Sequence, residues 1–252
     1  LDQAKLYCEE ILKKNQNDEQ ASLLMAEIFE KKEDYSLCES YLKKAYEVSK
    51  STSCLLRIVQ VFEKQDKGIQ AIKCIKEAYN QGIKNSTILN RLAWFFLKKN
   101  EFIEAKKYFL EALLLDPKNV NALVNLGNLY LETMQVVLAK EVLTNLSKLP
   151  LDPETLLSKG RLERELGFID AAEASLNVVV KSGDQRQKNM ALWNISHMQL
   201  IKRDFENGWK NYENRLLEDI SGVGNLNSSK MWKGEPLKNK AILSYIIDKF
   251  DD

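Results

Sequence analysis

The sequence predicts an all-α solenoid, a stack of antiparallel helix pairs. Three observations predict it. A small residue recurs at a nearly constant interval, at Ala4, Cys38, Ala71, Ala105, Ala139, Ala172 and Gly208, with gaps of 34, 33, 34, 34, 33 and 36 residues. Between these beats apolar residues fall three and four apart, the spacing of one helix face. A second row of mostly small residues, Ala26, Val59, Ala93, Gly127, Gly160 and Ser196, runs in phase with the first. A fixed period of this length marks one supersecondary unit repeated along the chain, in which each unit contacts only its neighbours.

Residues 1–18 read as the second helix of a unit whose first helix is not in the sequence. Full units follow at 19–51, 52–85, 86–119, 120–152, 153–188 and 189–218. Unit 86–119 is the clearest. Leu89, Leu92, Ala93 and Phe96 form one helix face, Lys98, Lys99 and Asn100 make a polar turn, and Ala105, Phe109 and Ala112 line a second helix. Asp116-Pro117 ends that helix, because proline lacks a backbone donor and disfavours helix in the residue before it. Two short helices joined this way form an antiparallel hairpin. The small beat marks the helix crossing, where a larger side chain would push the axes beyond their usual separation of about 8–10 Å. Counting from the start of each unit, the small row of first helices is the eighth place. Three residues on stand Phe29, Phe62, Phe96 and Tyr130, expected to fill the groove between helices. The polar run 181–188 is expected to loosen or bend the stack between the fifth and sixth units.

This pattern resembles the tetratricopeptide repeat, with its Leu-Gly-x-x-Tyr first helix and Ala-x-x-x-Phe-x-x-Ala second helix. Leu126-Gly127, Tyr130, Ala139 and Leu143 carry it in one unit, and Ala105, Phe109, Ala112 and Pro117 in another. The resemblance covers about residues 1–218. It implies a right-handed superhelical solenoid whose first helices line a concave groove. The terminal proline departs from the pattern. It is kept at Pro117 and shifted to Pro150 and Pro153 in the next unit.

In this register the sixth and ninth places of each first helix face the groove. The sixth reads Leu24, Arg57, Arg91, Asn125, Ser158 and Asn194; the ninth reads Glu27, Gln60, Trp94, Asn128, Arg161 and His197. After the first unit nearly every entrant is polar. Amide side chains both donate and accept, so they match the N–H and C=O groups of an extended peptide. Arg57, Arg91 and Arg161 are expected to favour carboxylates through their forked donors. The expected peptide-binding groove therefore comprises Arg57, Gln60, Arg91, Trp94, Asn125, Asn128, Ser158, Arg161, Asn194 and His197. Asn125 and Asn194 resemble part of the asparagine ladder in the repeat region of O-GlcNAc transferase.

Bulk properties narrow the function classes. Charged residues make up 29% of the chain and the net charge is +1, so the surface is mixed in sign and lacks the basic excess of a nucleic-acid binder. No stretch approaches the ~20 apolar residues of a membrane span. Cys8, Cys38, Cys54 and Cys74 form no C-x-x-C pair and fall at apolar places of the repeat, which fits buried reduced thiols and a cytoplasmic location. With one histidine, His197, neither zinc binding nor a nucleophilic triad is expected, and neither are cofactors or catalytic residues.

The end of the chain leaves the pattern. Gly208-Trp209 and Tyr212 close the last unit, a linker is expected at 219–230, and Met231–Leu237 and a strand at 240–247 follow. Phe205, Gly208, Trp209, Tyr212, Glu213, Arg215, Trp232, Gly234, Pro236, Leu237 and Lys240 resemble bacterial repeat proteins fused to a glycosyltransferase-like domain. That resemblance implies that 231–252 starts a truncated further domain. The Gly-rich phosphate loop of such proteins is replaced here by Asp248-Lys-Phe-Asp-Asp252. Three functions stay open: a scaffold presenting a polar groove to a protein or extended peptide, the substrate-recruiting arm of a transferase lying beyond residue 252, and a spacer. Self-association through an uncapped N-terminal end is a further expectation.

Overall fold

The computed structural model describes residues 2–216. The chain divides into two compact units. In the first, Leu1–Leu129, α1 (Asp2–Lys14) precedes the pairs α2–α3 (Glu19–Lys31, Tyr35–Ser49), α4–α5 (Thr52–Lys64, Gly68–Asn80) and α6–α7 (Ser86–Lys98, Phe102–Leu115), and α8 (Val120–Glu132) begins. The second, from Tyr130 on, carries the end of α8, α9 (Val136–Leu146), and the pairs α10–α11 (Pro153–Glu165, Ile169–Ser182) and α12–α13 (Gln185–Ile201, Phe205–Tyr212). A short 3-10 turn, Glu213–Leu216, ends the described chain. The described residues hold no strand. The linker expected at 219–230, the strand at 240–247, and Trp232, Gly234, Pro236, Leu237 and Lys240 lie outside the described residues.

Within each unit a helix packs on the partner of its own pair and on the next helix along. α1 meets α2, α3 meets α4 and α5 meets α6, while α11 meets α12. Most first helices begin at a short polar side chain that satisfies an orphan backbone donor. Asp18 Oδ1 accepts from the Ala21 N–H at 2.8 Å, Asn85 from Thr87 at 2.8 Å and Asp152 from Thr155 at 2.8 Å. Asp184 and Gln187 form a reciprocal capping box, so α12 starts at Gln185. Residues 185–188, expected as part of a loose polar connection, are instead its first turn.

The turn inside each pair repeats as strictly as the small residues do. Glu33, Asp66, Asn100, Met134, Gly167 and Arg203 all have positive φ. In the first of them the Asp34 N–H donates to the Phe29 carbonyl at 3.0 Å and the Glu33 N–H to Glu30 at 3.0 Å. This is a Schellman cap. The long bond recurs as Lys67 to Phe62 (2.8 Å), Glu101 to Phe96 (2.9 Å), Gln135 to Tyr130 (2.7 Å), Phe168 to Glu163 (2.8 Å) and Asp204 to Gln199 (2.9 Å). The acceptor is each time the residue at the aromatic place or its equivalent.

The core follows the two small rows. Cys38, Ala71, Ala105, Ala139 and Ala172 are fully buried, as are Ala26, Val59, Ala93 and Ser196, while Ala4 is half-buried. Gly127 is buried. The close approach is direct at Gly160, where a Cβ would stand 2.7 Å from Leu176 Cγ, and at Gly208, where it would stand 2.7 Å from Leu200 Cδ2. Phe29, Phe62, Phe96 and Tyr130 are buried as expected. Phe29 stacks on Tyr41 and Phe96 on Tyr108, at centroid separations of 5.6 and 5.5 Å.

In the fifth repeat this apolar pairing is replaced by charge. Glu163 occupies the aromatic place and Lys159 the seventh place, where Met25, Ile58, Leu92, Leu126 and Ile195 are buried elsewhere. Ser175 stands where α3 has Tyr41 and α7 has Tyr108. Lys159 Nζ donates to Glu163 Oε1 at 2.5 Å and to Ser175 Oγ at 3.0 Å, and the Ser175 hydroxyl donates to Glu163 Oε2 at 2.7 Å. Glu163 is only 3% exposed. Every charged atom of this interior cluster is thereby satisfied, the condition under which buried charge is tolerated.

Candidate functional site

The sixth place of a first helix reaches back to the preceding first helix. In the first unit Arg57 Nη2 on α4 donates to Glu30 Oε2 on α2 at 3.4 Å, and Arg91 Nη1 on α6 donates to Glu63 Oε1 on α4 at 3.1 Å. Glu30 and Glu63 both stand at the twelfth place of their helices, so the same rung is built twice, one repeat apart. Lys64 Nζ adds a second contact to Glu30 at 2.8 Å. These hydrogen bonds and charges hold the Glu30 carboxyl below its ordinary range, the bond from Lys64 first, against a desolvation that raises it. Asn125 makes the third rung with a different acceptor, donating from Nδ2 to Asn90 Oδ1 at 3.0 Å.

One turn along, the ninth place faces outward. Gln60 is exposed, and Trp94 and Asn128 are half-buried. Lys98 Nζ rests over the Trp94 ring at 5.6 Å, and Phe95 meets that ring edge-on at 5.3 Å. Glu27, at the ninth place of α2, pairs with Lys31 at 2.9 Å. Arg57, Gln60, Arg91, Trp94, Asn125 and Asn128 are thus brought onto the first helices of one unit as a polar face with a single tryptophan. Its arginines are not free donors.

The second unit treats its four expected residues differently. Ser158 donates to the Glu154 carbonyl at 3.4 Å, and Arg161 is exposed. Asn194 is buried at 7% exposure: it accepts from Arg164 Nη1 at 3.1 Å and donates to the Met190 carbonyl at 2.8 Å. Arg164 is at the twelfth place of α10, so this too is a sixth-to-twelfth rung, with the cation on the other side. Asn194 therefore serves the α10–α12 junction and presents little to solvent. His197 donates from Nδ1 to the Trp193 carbonyl at 2.9 Å. Its ring lies between Trp193 and Tyr212, with centroids 5.4 and 5.8 Å away. Burial pushes its pKa below the usual histidine value, and the bond to Trp193 opposes this. Trp209 meets Tyr212 edge-on and is 57% exposed.

The partners at the twelfth place were not anticipated as site residues, although the signal is present: an acid at 30 and 63 faces an arginine 27 and 28 residues later. Two clefts were equally absent from the sequence reading. One, of about 360 Å³, lies between α3 and α5 over Phe62 and Cys74, and another, of about 460 Å³, is lined by Lys140, Leu143, Thr144 and Phe168. Burial raises the Cys74 thiol pKa. Cys8, Cys38, Cys54 and Cys74 are free thiols. Among the described residues no group of three or more His, Cys, Asp or Glu could hold a metal ion, and no helix is long and apolar enough to cross a membrane.

Two family models, each described as a tetratricopeptide repeat, match residues 86–119 and 108–141. The fold agrees with that of a tetratricopeptide-repeat protein from Parabacteroides merdae, at 19% identity over 81% of this chain and 80% of that one, with a TM-score of 0.61. Residues 86–141 match the tetratricopeptide repeat (TPR), and the described chain has the fold of TPR proteins. Other TPR-like folds align with it: PilF of Pseudomonas aeruginosa at 18% identity, over 80% of this chain and 92% of that one, with a TM-score of 0.61; and YrrB, described as a TPR protein with an unusual peptide-binding site, at 15% identity, over 73% and 95%, with a TM-score of 0.50. At these identities the likeness is one of fold. No curated protein matches the chain.

Proposed function

We propose that this protein is a protein-interaction scaffold that holds an extended peptide against the first-helix face of its first unit. Gln60, Trp94, Asn125 and Asn128 make the contacts, and Arg57 and Arg91 keep the helices that carry them in register. The observation that carries this reading is the polar row itself: amides and one tryptophan recur at the same face of successive helices, tied together by rungs. Amides can pair with peptide N–H and C=O groups, and a half-buried tryptophan supplies a rigid apolar platform. The peptide-binding site described for YrrB, a protein of the same fold, supports the class of ligand. A displayed random-peptide library panned on the purified protein tests it. Enriched peptides are expected to lose most of their affinity for the Trp94→Ala/Asn128→Ala variant. Equal binding to the variant would place the ligand elsewhere.

A further inference from the structure

The rungs carry a consequence for what the face can recognise. An unpaired arginine in a groove would draw carboxylates. Arg57 and Arg91 instead stand 3.4 and 3.1 Å from carboxylate oxygens of their own chain, with Glu30 additionally holding Lys64 at 2.8 Å. The side chains of these pairs are between 23% and 34% exposed, Lys64 at 45% excepted, so the acids are as open to a ligand as the arginines are. A carboxylate approaching Arg91 also meets Glu63, and one approaching Arg57 also meets Glu30. Each guanidinium's attraction is thus opposed by a carboxylate of the same face, while Lys64 is an additional cation at the Glu30 rung. Glu27 is matched by Lys31 in the same way. At the ninth place stand uncharged groups, Gln60, Trp94 and Asn128, and Asn90 and Asn125 are engaged with each other. Lys98 is drawn over the Trp94 ring, where its charge borders the apolar platform.

Resting on the reading of this face as a peptide site, we infer that its partner is an uncharged peptide segment. It is bound through its main chain, with an apolar or aromatic side chain on Trp94, and Glu30 and Glu63 act as the elements that exclude acidic peptides. Removing a repulsive group changes specificity as surely as adding an attractive one. Glu30 and Glu63 hold the arginines in the off state of an acid-binding groove.

The test uses the whole chain and three pools of fluorescent dodecapeptides, acetylated and amidated so that their ends carry no charge. One pool is uncharged and rich in Tyr, Pro, Asn and Ser, one is rich in Asp and Glu, and one in Lys and Arg. Fluorescence anisotropy at 50 and 500 mM NaCl reads affinity. The uncharged pool is expected to bind most tightly, with less than about a twofold change between the two salt concentrations, because contacts without net charge are not screened. Glu30→Gln/Glu63→Gln is expected to raise affinity for the acidic pool about tenfold and to make it fall with salt. Adding Arg57→Gln/Arg91→Gln to that variant is expected to abolish the acidic-pool gain, because the guanidiniums freed from Glu30 and Glu63 are what bind it. Far-UV circular dichroism checks that both variants keep their helices. Tighter, salt-sensitive binding of the acidic pool by the parent chain would overturn the inference while leaving the peptide site standing, and so would an unchanged acidic-pool affinity in the folded Glu30→Gln/Glu63→Gln variant. No binding of any pool to the parent would overturn the peptide site and the inference together.

Discussion

Arg91 bonds to Glu63 across one repeat as Arg57 bonds to Glu30 across the repeat before it, at 3.1 and 3.4 Å. The sixth place of one first helix and the twelfth of its predecessor are thus a recurring junction of the array. Arg164 and Asn194 occupy the same two places on α10 and α12 with a neutral partner. The junction accepts several chemistries because its requirement is geometric: a long donor must span two neighbouring first helices.

These rungs contribute little to stability. Both partners are about one-quarter to one-third exposed, and ion pairs in that setting are worth about 0–1 kcal/mol after screening. A double-mutant cycle on Arg91 and Glu63, followed by urea denaturation, is expected to give a coupling energy inside that range and smaller at 500 mM salt.

The interior cluster of the fifth repeat behaves differently. Glu163→Ala leaves Lys159, whose side chain is 13% exposed, without its counter-charge. A loss of about 3 kcal/mol is expected, as for other broken interior pairs. The triple change Lys159→Leu, Glu163→Phe and Ser175→Tyr imports the residues of the third repeat, Leu92, Phe96 and Tyr108. It is expected to be neutral or stabilising by up to about 2 kcal/mol, because packed apolar groups need no desolvated charge. In equilibrium urea curves Glu163→Ala is expected to unfold at lower urea than the parent and the triple variant at the same or higher urea.

Two glycine-to-alanine changes are expected to differ in sign. At Gly160 the new methyl would meet Leu176 at 2.7 and 2.9 Å, and Leu176 is fully buried, so overpacking should cost about 1–3 kcal/mol. At Gly68, the first residue of α5, the nearest atoms are those of Phe95 at 3.8 Å. Gly68→Ala should stabilise by about 0.5 kcal/mol by restricting the unfolded chain. Thermal melts of both proteins check the pair.

Met134 holds φ 57° while 81% exposed, so its side chain contributes little that offsets the backbone strain of a left-handed residue. Glycine carries no such penalty, and Met134→Gly is expected to gain about 0.5 kcal/mol. An unchanged or lower melting temperature would count against this account of the turn.

His197 links stability to pH. Its pKa is lowered in the folded chain by burial, from an ordinary 6.5, so the unfolded chain binds the proton more readily. Stability is full above that ordinary value and falls as pH drops below 6.5 toward the folded pKa. His197→Gln should remove this part of the slope between pH 7 and 5.5. The lowered carboxyl groups of Glu30 and Asp152 act only at more acid pH, near and below their ordinary 4.5 and 3.8.

The helix-pair architecture and most of the core were legible in the chain. Small residues such as Ala105 and Gly160 recur because two helix axes must come close, and that requirement writes itself into the chain as a period. Caps such as Asp18 and Asp184 are local too, yet the one at Asp184 was hidden within the polar run 181–188. The fate of the polar residues was set by packing between helices. Arg57 and Arg91 read from the chain as free carboxylate receptors, Asn194 as a groove residue and Glu163 as nothing in particular. Their roles depend on partners 27, 28, 30 and 12 residues away, chosen by which side chains the stacked helices bring within hydrogen-bonding reach. The left-handed turns at Glu33, Asp66, Asn100, Met134 and Arg203 were hidden for a related reason. None is glycine, and although Asp66 and Asn100 tolerate the left-handed region, Glu33, Met134 and Arg203 are held there by the Schellman bonds and the packing of each pair.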